Sequence, residues 1–184
     1  MTYAEEYYHV INRGNEKQPI YYNEDNYHFF LGRLRKYASK GKQIVIAYCL
    51  MPNHFHLLLK ETVDDNLKNT MLSLQTSYAK AINKKFKRNG HLFQGKYKKI
   101  RIENNNQLLR LSRYIHLNPV KAGLVNVPEE WPYSSYHEYI GLRQGSLPET
   151  EIIIRQFPDK QAYKKFIMDH LDEDDRELDK VKLE

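Results

Sequence analysis

The sequence predicts an α+β fold built on a small antiparallel sheet. Short runs rich in β-branched and aromatic residues alternate with stretches of helical apolar spacing, in the order strand, helix, strand, strand, helix, strand, helix. The connections between these elements are short, so consecutive elements must pack against one another. Two of the strands meet at Met51-Pro52-Asn53, a turn signal tight enough for a hairpin. The simplest packing is one sheet with two helices on one face, a ferredoxin-like arrangement.

Tyr7-Tyr8-His9-Val10-Ile11-Asn12 reads as the first strand, ending at Arg13-Gly14-Asn15. Asn23-Glu24-Asp25 starts a helix. Tyr27, Phe30, Leu31, Leu34 and Ala38 continue it at helical spacing to about residue 39, and Gly41 ends it. Ile44 to Leu50 and His54 to Leu59 form the hairpin strands. Asp64-Asp65-Asn66 caps a second helix over about 67–88, carrying Leu67, Met71, Leu74, Tyr78 and Ile82, with Asn89-Gly90 as its stop. The run from His91 to Ile102 reads as a loop leading into a fourth strand. Asn104-Asn105-Asn106 caps a third helix over about 107–117, terminated by Asn118-Pro119. Beyond Gly123 the pattern is less regular. Trp131-Pro132-Tyr133-Ser134-Ser135-Tyr136 reads as a compact aromatic turn, and Tyr163, Phe166, Ile167 and Leu171 mark a short helix after Asp159.

The 184 residues fit one domain with an appended tail. One cysteine, Cys49, excludes an internal disulfide and fits a reducing compartment. The N-terminus carries no signal-peptide pattern, and no apolar run is long enough to span a bilayer, so a soluble, cytoplasmic protein is expected. The formal net charge of +6 points to an acidic partner, nucleic acid first.

The charge is unevenly spread. Between Asp65 and Glu103 there is no acidic residue, whereas Lys68, Lys80, Lys84, Lys85, Lys87, Arg88, Lys96, Lys98, Lys99 and Arg101 fall inside that span. Phe86, Phe93 and Tyr97 are interleaved with these cations, a pattern suited to single-stranded nucleic acid, whose bases stack on rings while lysines meet phosphates. A solvated helix face over core aromatics would look similar. Arg13 and its turn are equally consistent with a phosphate contact and with ordinary loop chemistry.

His54 and His56, two apart on a strand, share one face, and Phe55 points the other way. Such a pair can begin a divalent metal site, although it also fits a plain polar strand face. On the third helix, Tyr114 and Asn118 are four apart and share a face, whereas His116 does not. A tyrosine hydroxyl is a poor nucleophile unless its electrophile is activated and held in line. Metal on the histidines could polarise a phosphate for it, and the Asn118 carbonyl is a plausible third ligand. Spacing alone leaves Tyr114 one candidate among 15 tyrosines, with Tyr78 as its first rival.

Met51-Pro52-Asn53-His54-Phe55-His56-Leu57-Leu58 and Tyr114-Ile115-His116-Leu117-Asn118-Pro119-Val120-Lys121-Ala122-Gly123-Leu124 together resemble the HUH single-tyrosine transposases, the REP-associated tyrosine transposase branch above all. Gly90-His91-Leu92-Phe93-Gln94-Gly95-Lys96-Tyr97 and the Trp131 to Tyr136 segment resemble the same branch. The resemblance covers about residues 7–139. It implies a ferredoxin-like sheet with the catalytic tyrosine on an additional helix, and cleavage and joining of single-stranded DNA that depend on Mg2+ or Mn2+. His54 and His56 match the metal pair, and Asn118 the third ligand, a position held by Gln in better-known relatives. Tyr114 matches the nucleophile that forms a 5′-phosphotyrosine link and frees a 3′-OH. The implied partners are DNA hairpins from palindromic ends, for which Arg13 and the basic segment Lys80 to Arg101 are the expected surface. Transposase relatives imply a homodimer and REP-associated members a monomer, and the sequence does not decide between them. Residues 1–147 would form the transposase domain and 148–184 a C-terminal extension with an acidic end. A hairpin-binding regulator that has lost the chemistry is the rival reading. Replication initiators and relaxases share the histidine pair but arrange the second motif differently.

Overall fold

A computed structural model of the chain describes residues 6–63 and 66–169. Four strands, β1 (Glu6–Arg13), β2 (Gln43–Met51), β3 (His54–Glu61) and β4 (Lys98–Ile102), form one antiparallel sheet in the order β2-β3-β1-β4. Helices α1 (Glu24–Gly41) and α2 (Asn66–Lys85) pack together on one face. This is the expected ferredoxin-like arrangement. The other face is covered by α3 (Asn105–Lys121), which crosses β2 and β3, and by the short helices α4 (Tyr136–Ile140), α5 (Glu151–Ile154) and α6 (Lys160–Met168).

The sheet therefore separates two cores. Tyr8, Val10, Tyr48, Leu50, Phe55, Leu57 and Leu59 point toward α1 and α2. Ile46, Ala47, Cys49, Met51, Leu58 and Ile102 point toward α3. Period-two alternation sorts these side chains, with one interruption. The register of β2 against β3 slips between Val45 and Ala47, so Ile46 and Ala47 both reach the α3 side.

Local chemistry explains most boundaries. Asn23 and Asn104 cap α1 and α3 through their side chains, and Asp159 caps α6. Asp64 and Asp65, expected to cap α2, lie outside the described residues, as does the acidic stretch 170–184. Two expected ends move. α2 stops at Lys85, because Lys87 turns left-handed at φ 51°. α3 runs through Asn118-Pro119 to Lys121. Pro119 lacks only the donor for one helical bond, and the end is closed by backbone bonds from Ala122, Gly123 and Leu124, with Gly123 at φ 67°. The extra turn keeps Asn118 helical, one turn beyond Tyr114.

The Trp131 to Tyr136 segment does more than turn. It runs along the outer edge of β2, with Leu50 N–H donating to the Tyr133 carbonyl and Ser135 N–H to the Tyr48 carbonyl, both at 2.9 Å. An otherwise open sheet edge is thereby closed. α4 and α5 carry no periodicity long enough to read from sequence. No helix among the described residues is long and apolar enough to cross a membrane.

His116 pins α3 to this layer. Its Nδ1 lies 2.8 Å from the Tyr163 hydroxyl of α6, and its Nε2 2.8 Å from Ser135 Oγ. Burial lowers its pKa from 6.5 to about 3, so the ring is neutral in the folded protein. The unfolded chain takes up a proton below about pH 6.5 and the folded chain does not, so stability is complete above that value and falls as pH drops toward 3. Between pH 7 and pH 5 this group should account for about 2 kcal/mol of lost stability. Denaturant titrations at the two pH values should show a correspondingly smaller loss for His116→Gln. An unchanged pH difference would remove His116 from the account.

Candidate active site

β3 is an interior strand, so both of its faces are covered. Phe55 fills the α1/α2 core, as the alternation predicts, and His54 and His56 stand together on the α3 side, their ring centroids 5.0 Å apart. In the register Arg13 lies opposite His54 from β1, and Ile11 opposite His56. α3 brings Tyr114 edge-on to His56, ring to ring at 5.4 Å. Asn118, on the same helix face, lies beside His54, and its Nδ2 lies 3.4 Å from the Tyr114 carbonyl. One chain thus brings both histidines, the tyrosine and the asparagine together.

The tautomer of His54 follows from its neighbours. Asn53 Nδ2 donates to the Lys17 carbonyl at 3.0 Å, which turns Asn53 Oδ1 toward His54 Nδ1 at 2.6 Å. That oxygen only accepts, so His54 carries its proton on Nδ1 and leaves Nε2 as the ligating atom. Burial lowers the His54 pKa to about 4; the neighbouring Asn118 amide opposes the shift and the charge of Arg13 adds to it. His56 is driven well below the ordinary range by burial, with His9 and His54 contributing. Both imidazoles are neutral at pH 7, the form that binds metal.

These donors suit a divalent cation. Asn118 Nδ2 donates to the Tyr114 carbonyl, and its Oδ1 is the atom able to ligate. Among the described residues, no group of three or more His, Cys, Asp or Glu is placed to hold a metal ion. A cation here would rest on His54, His56 and the Asn118 amide oxygen, and would need phosphate oxygens or water to complete its shell.

Tyr78 is removed as a rival. It is fully buried in the other core, its hydroxyl donates to the Ile20 carbonyl at 2.7 Å, and burial pushes its pKa far up. The aromatic residues of the basic segment also divide. Phe93 belongs to the α1/α2 core and Phe86 packs on Tyr22, so neither is free to stack on a base. Tyr97 lines a groove of about 760 Å³ between α2 and the 90–97 segment, with Lys68, Lys80 and Lys96 at its rim.

The cations divide as well. Arg13, Lys96 and Lys98 line a cleft of about 320 Å³ at the β1–β4 end, where Arg13 Nε donates to Gln94. Lys98 shares the histidine face, because Ile100 and Ile102 of the same strand pack in the α3 core. Lys99 and Arg101 point to the opposite face and are ion-paired, with Glu61 at 3.2 Å and Glu6 at 3.0 Å. Lys85 pairs with Asp25 at 3.6 Å, and Arg88 bonds Asn83 and lies over Tyr22. Lys80, Lys84 and Lys87 are exposed at the surface. Sequence reasoning passed over His9, Asn53 and Gln94, which touch the site. A histidine inside a strand was visible, but nothing in the sequence gave the register of β1 against β3 that brings His9 to His56.

The chain matches a family model described as "Transposase IS200 like" over residues 2–118. A Haemophilus influenzae protein named as a REP-associated tyrosine transposase is 32% identical over 103 residues, which cover 50% of this chain and 58% of that relative. The chain thus spans little more than half the length of the curated relative it matches. A solved REP-associated tyrosine transposase bound to a REP hairpin superposes with a TM-score of 0.64 at 18% identity, covering 79% of this chain and 88% of that one. The family match takes in β1, the histidine pair of β3 and α3 as far as Asn118. The chain belongs to the IS200-like transposase family.

Proposed function

We propose that this transposase is a metal-dependent single-stranded DNA endonuclease and strand transferase, acting beside DNA hairpins through a 5′-phosphotyrosine intermediate at Tyr114, in DNA transposition or REP-element mobilisation. The observation that carries the reading is the convergence of His54, His56, Asn118 and Tyr114 within one chain, where α3 crosses β3. The hairpin partner rests on the solved relative, which is bound to a REP hairpin.

In this reading the scissile phosphate lies between Tyr114 and the two imidazoles. Mg2+ or Mn2+ held by His54, His56 and Asn118 would supply Lewis-acid polarisation of a phosphate oxygen. Tyr114 forms the new bond from its hydroxyl oxygen to phosphorus, and the bond from phosphorus to the 3′-oxygen breaks. The hydroxyl proton ends on that 3′-oxygen. One phosphodiester is exchanged for another, so rejoining to a second 3′-OH needs no nucleotide cofactor. Arg13, Lys96 and Lys98 neutralise flanking phosphates from the same side of the sheet. The transposase machinery falls within residues 1–147, and α5 and α6 of the 148–184 extension brace α3 from behind.

Covalent trapping tests the chemistry. Labelled single-stranded hairpin DNA with Mn2+ should yield an adduct that survives a denaturing gel, disappears in EDTA, and falls at least about a thousandfold in Tyr114→Phe. Tyr78→Phe should still form it. An adduct that persists in Tyr114→Phe would sink the assignment, and tight hairpin binding with no adduct would favour a regulator without catalysis.

The charge division gives a second test. Lys98→Ala and Lys96→Ala should each weaken hairpin binding and lower the salt slope by roughly 0.7, as expected for one phosphate contact to a single strand. Arg101→Ala should change little, because its guanidinium faces away and is paired with Glu6. Equal effects from all three would mean that the DNA runs across the outer edge of β4.

A further inference from the structure

His9 is fully buried in β1 on the same sheet face as His54 and His56, and the chemistry above gives it no role. Its ring stacks on His56 with centroids 5.2 Å apart and planes 19° apart, and its Nε2 lies 3.0 Å from His56 Nδ1. It also stands edge-on to Tyr114 at 6.3 Å. Its second nitrogen, Nδ1, is buried without a hydrogen-bond partner among the described residues. Packing alone does not favour such a residue. Its neighbours on this face include Ile11 and Ile100, and an aliphatic side chain would fill the place without an unpaired Nδ1, but it would leave His56 Nδ1 without a partner.

One proton fits in the contact between the two rings, and its position decides what His56 can do. With the proton on His9 Nε2, neutral His56 keeps its own proton on Nε2 and cannot ligate. With the proton on His56 Nδ1, the His56 Nε2 lone pair is available. We infer that His9 is a positioning residue, whose Nε2 accepts the hydrogen bond from His56 Nδ1–H and so holds His56 Nε2 ready for the cation. The inference rests on the metal-site reading above.

The two ligand histidines are then built alike. His54 gives its Nδ1–H to Asn53 Oδ1, and His56 gives its Nδ1–H to His9. Both acceptors are neutral. A carboxylate in either place would orient the ring as well but would add negative charge where a DNA phosphate must enter. The proton left on His9 falls on Nδ1, the atom that the structure leaves unpaired. The unfavourable buried N–H is the cost of the arrangement, and it is borne where the ligand needs it.

Calorimetric titration with Co2+, which binds imidazole more tightly than Mn2+, tests this without DNA or turnover. His9→Leu should weaken Co2+ binding roughly tenfold or more, the usual effect of removing such a partner. His9→Gln, whose side-chain oxygen can accept the same hydrogen bond, should recover binding to within about threefold of wild type. Metal-free His9→Leu removes the unpaired Nδ1 of His9 but leaves His56 Nδ1–H without its acceptor, so one buried unpaired atom replaces another and the variant should melt close to wild type. If His56→Ala abolishes binding while His9→Leu binds like wild type, the positioning role is wrong and the site stands. If His56→Ala and His54→Ala also bind like wild type, the site itself is wrong and this inference goes with it. Nitrogen-15 NMR of the histidine rings in Zn2+-loaded wild type needs no variant. A proton on His56 Nδ1 is expected, and one on Nε2 would overturn the inference.

Discussion

The arrangement depends on β3 being an interior strand with two covered faces. Its alternation sends Phe55, Leu57 and Leu59 into one core and His54, His56 and Leu58 toward the other. A buried imidazole must find partners or lose stability. His54 meets Asn53 and Asn118, and His56 meets His9. Those partners come from the hairpin turn, α3 and β1, so satisfying two histidines ties together three elements distant in sequence. The same burial keeps the rings neutral, which is what a ligand role requires.

The position of Tyr114 rests on a second set of contacts. α3 lies on the sheet through Leu111, Ile115 and Leu117, and from behind it is held by the buried network of His116, Tyr163, Ser112 and Ser135. Ser135 also bonds the Tyr48 backbone of β2, so the aromatic segment connects the tyrosine helix to the sheet directly. Residues after the family match are thus part of what fixes the nucleophile. A tyrosine that attacks phosphorus gains from such rigidity, because misplacement by about 1 Å is costly in rate.

Electrostatics follows the strand geometry. In β4, Lys98 shares the face of Ile100 and Ile102 and so lies on the histidine side, and Lys99 and Arg101 project to the other face toward Glu61 and Glu6. A continuous basic run in sequence therefore becomes two surfaces, one facing the cleft with Arg13 and one largely neutralised by carboxylates from β1 and β3.

The sequence by itself determined what is local. The strand and helix order, the Met51-Pro52-Asn53 hairpin, the shared face of His54 and His56, and the i to i+4 pairing of Tyr114 with Asn118 all follow from periodicities of 2 and 3.6 acting within a few residues. The family was legible for the same reason, since its motifs are short contiguous strings. The end of α3 was misjudged because a proline in a last turn forfeits only one hydrogen bond, which tertiary packing can offset. The tertiary structure alone decided the register between neighbouring strands and which side chains meet across them, and with that the partnership of His9 with His56, the removal of Tyr78 into the opposite core, and the meeting of Tyr114 with its own chain's histidines. Those contacts join residues 47 to 58 positions apart, and no local pattern encodes them. They exist because a central strand must be covered on both faces, and the chain has only certain elements with which to cover it.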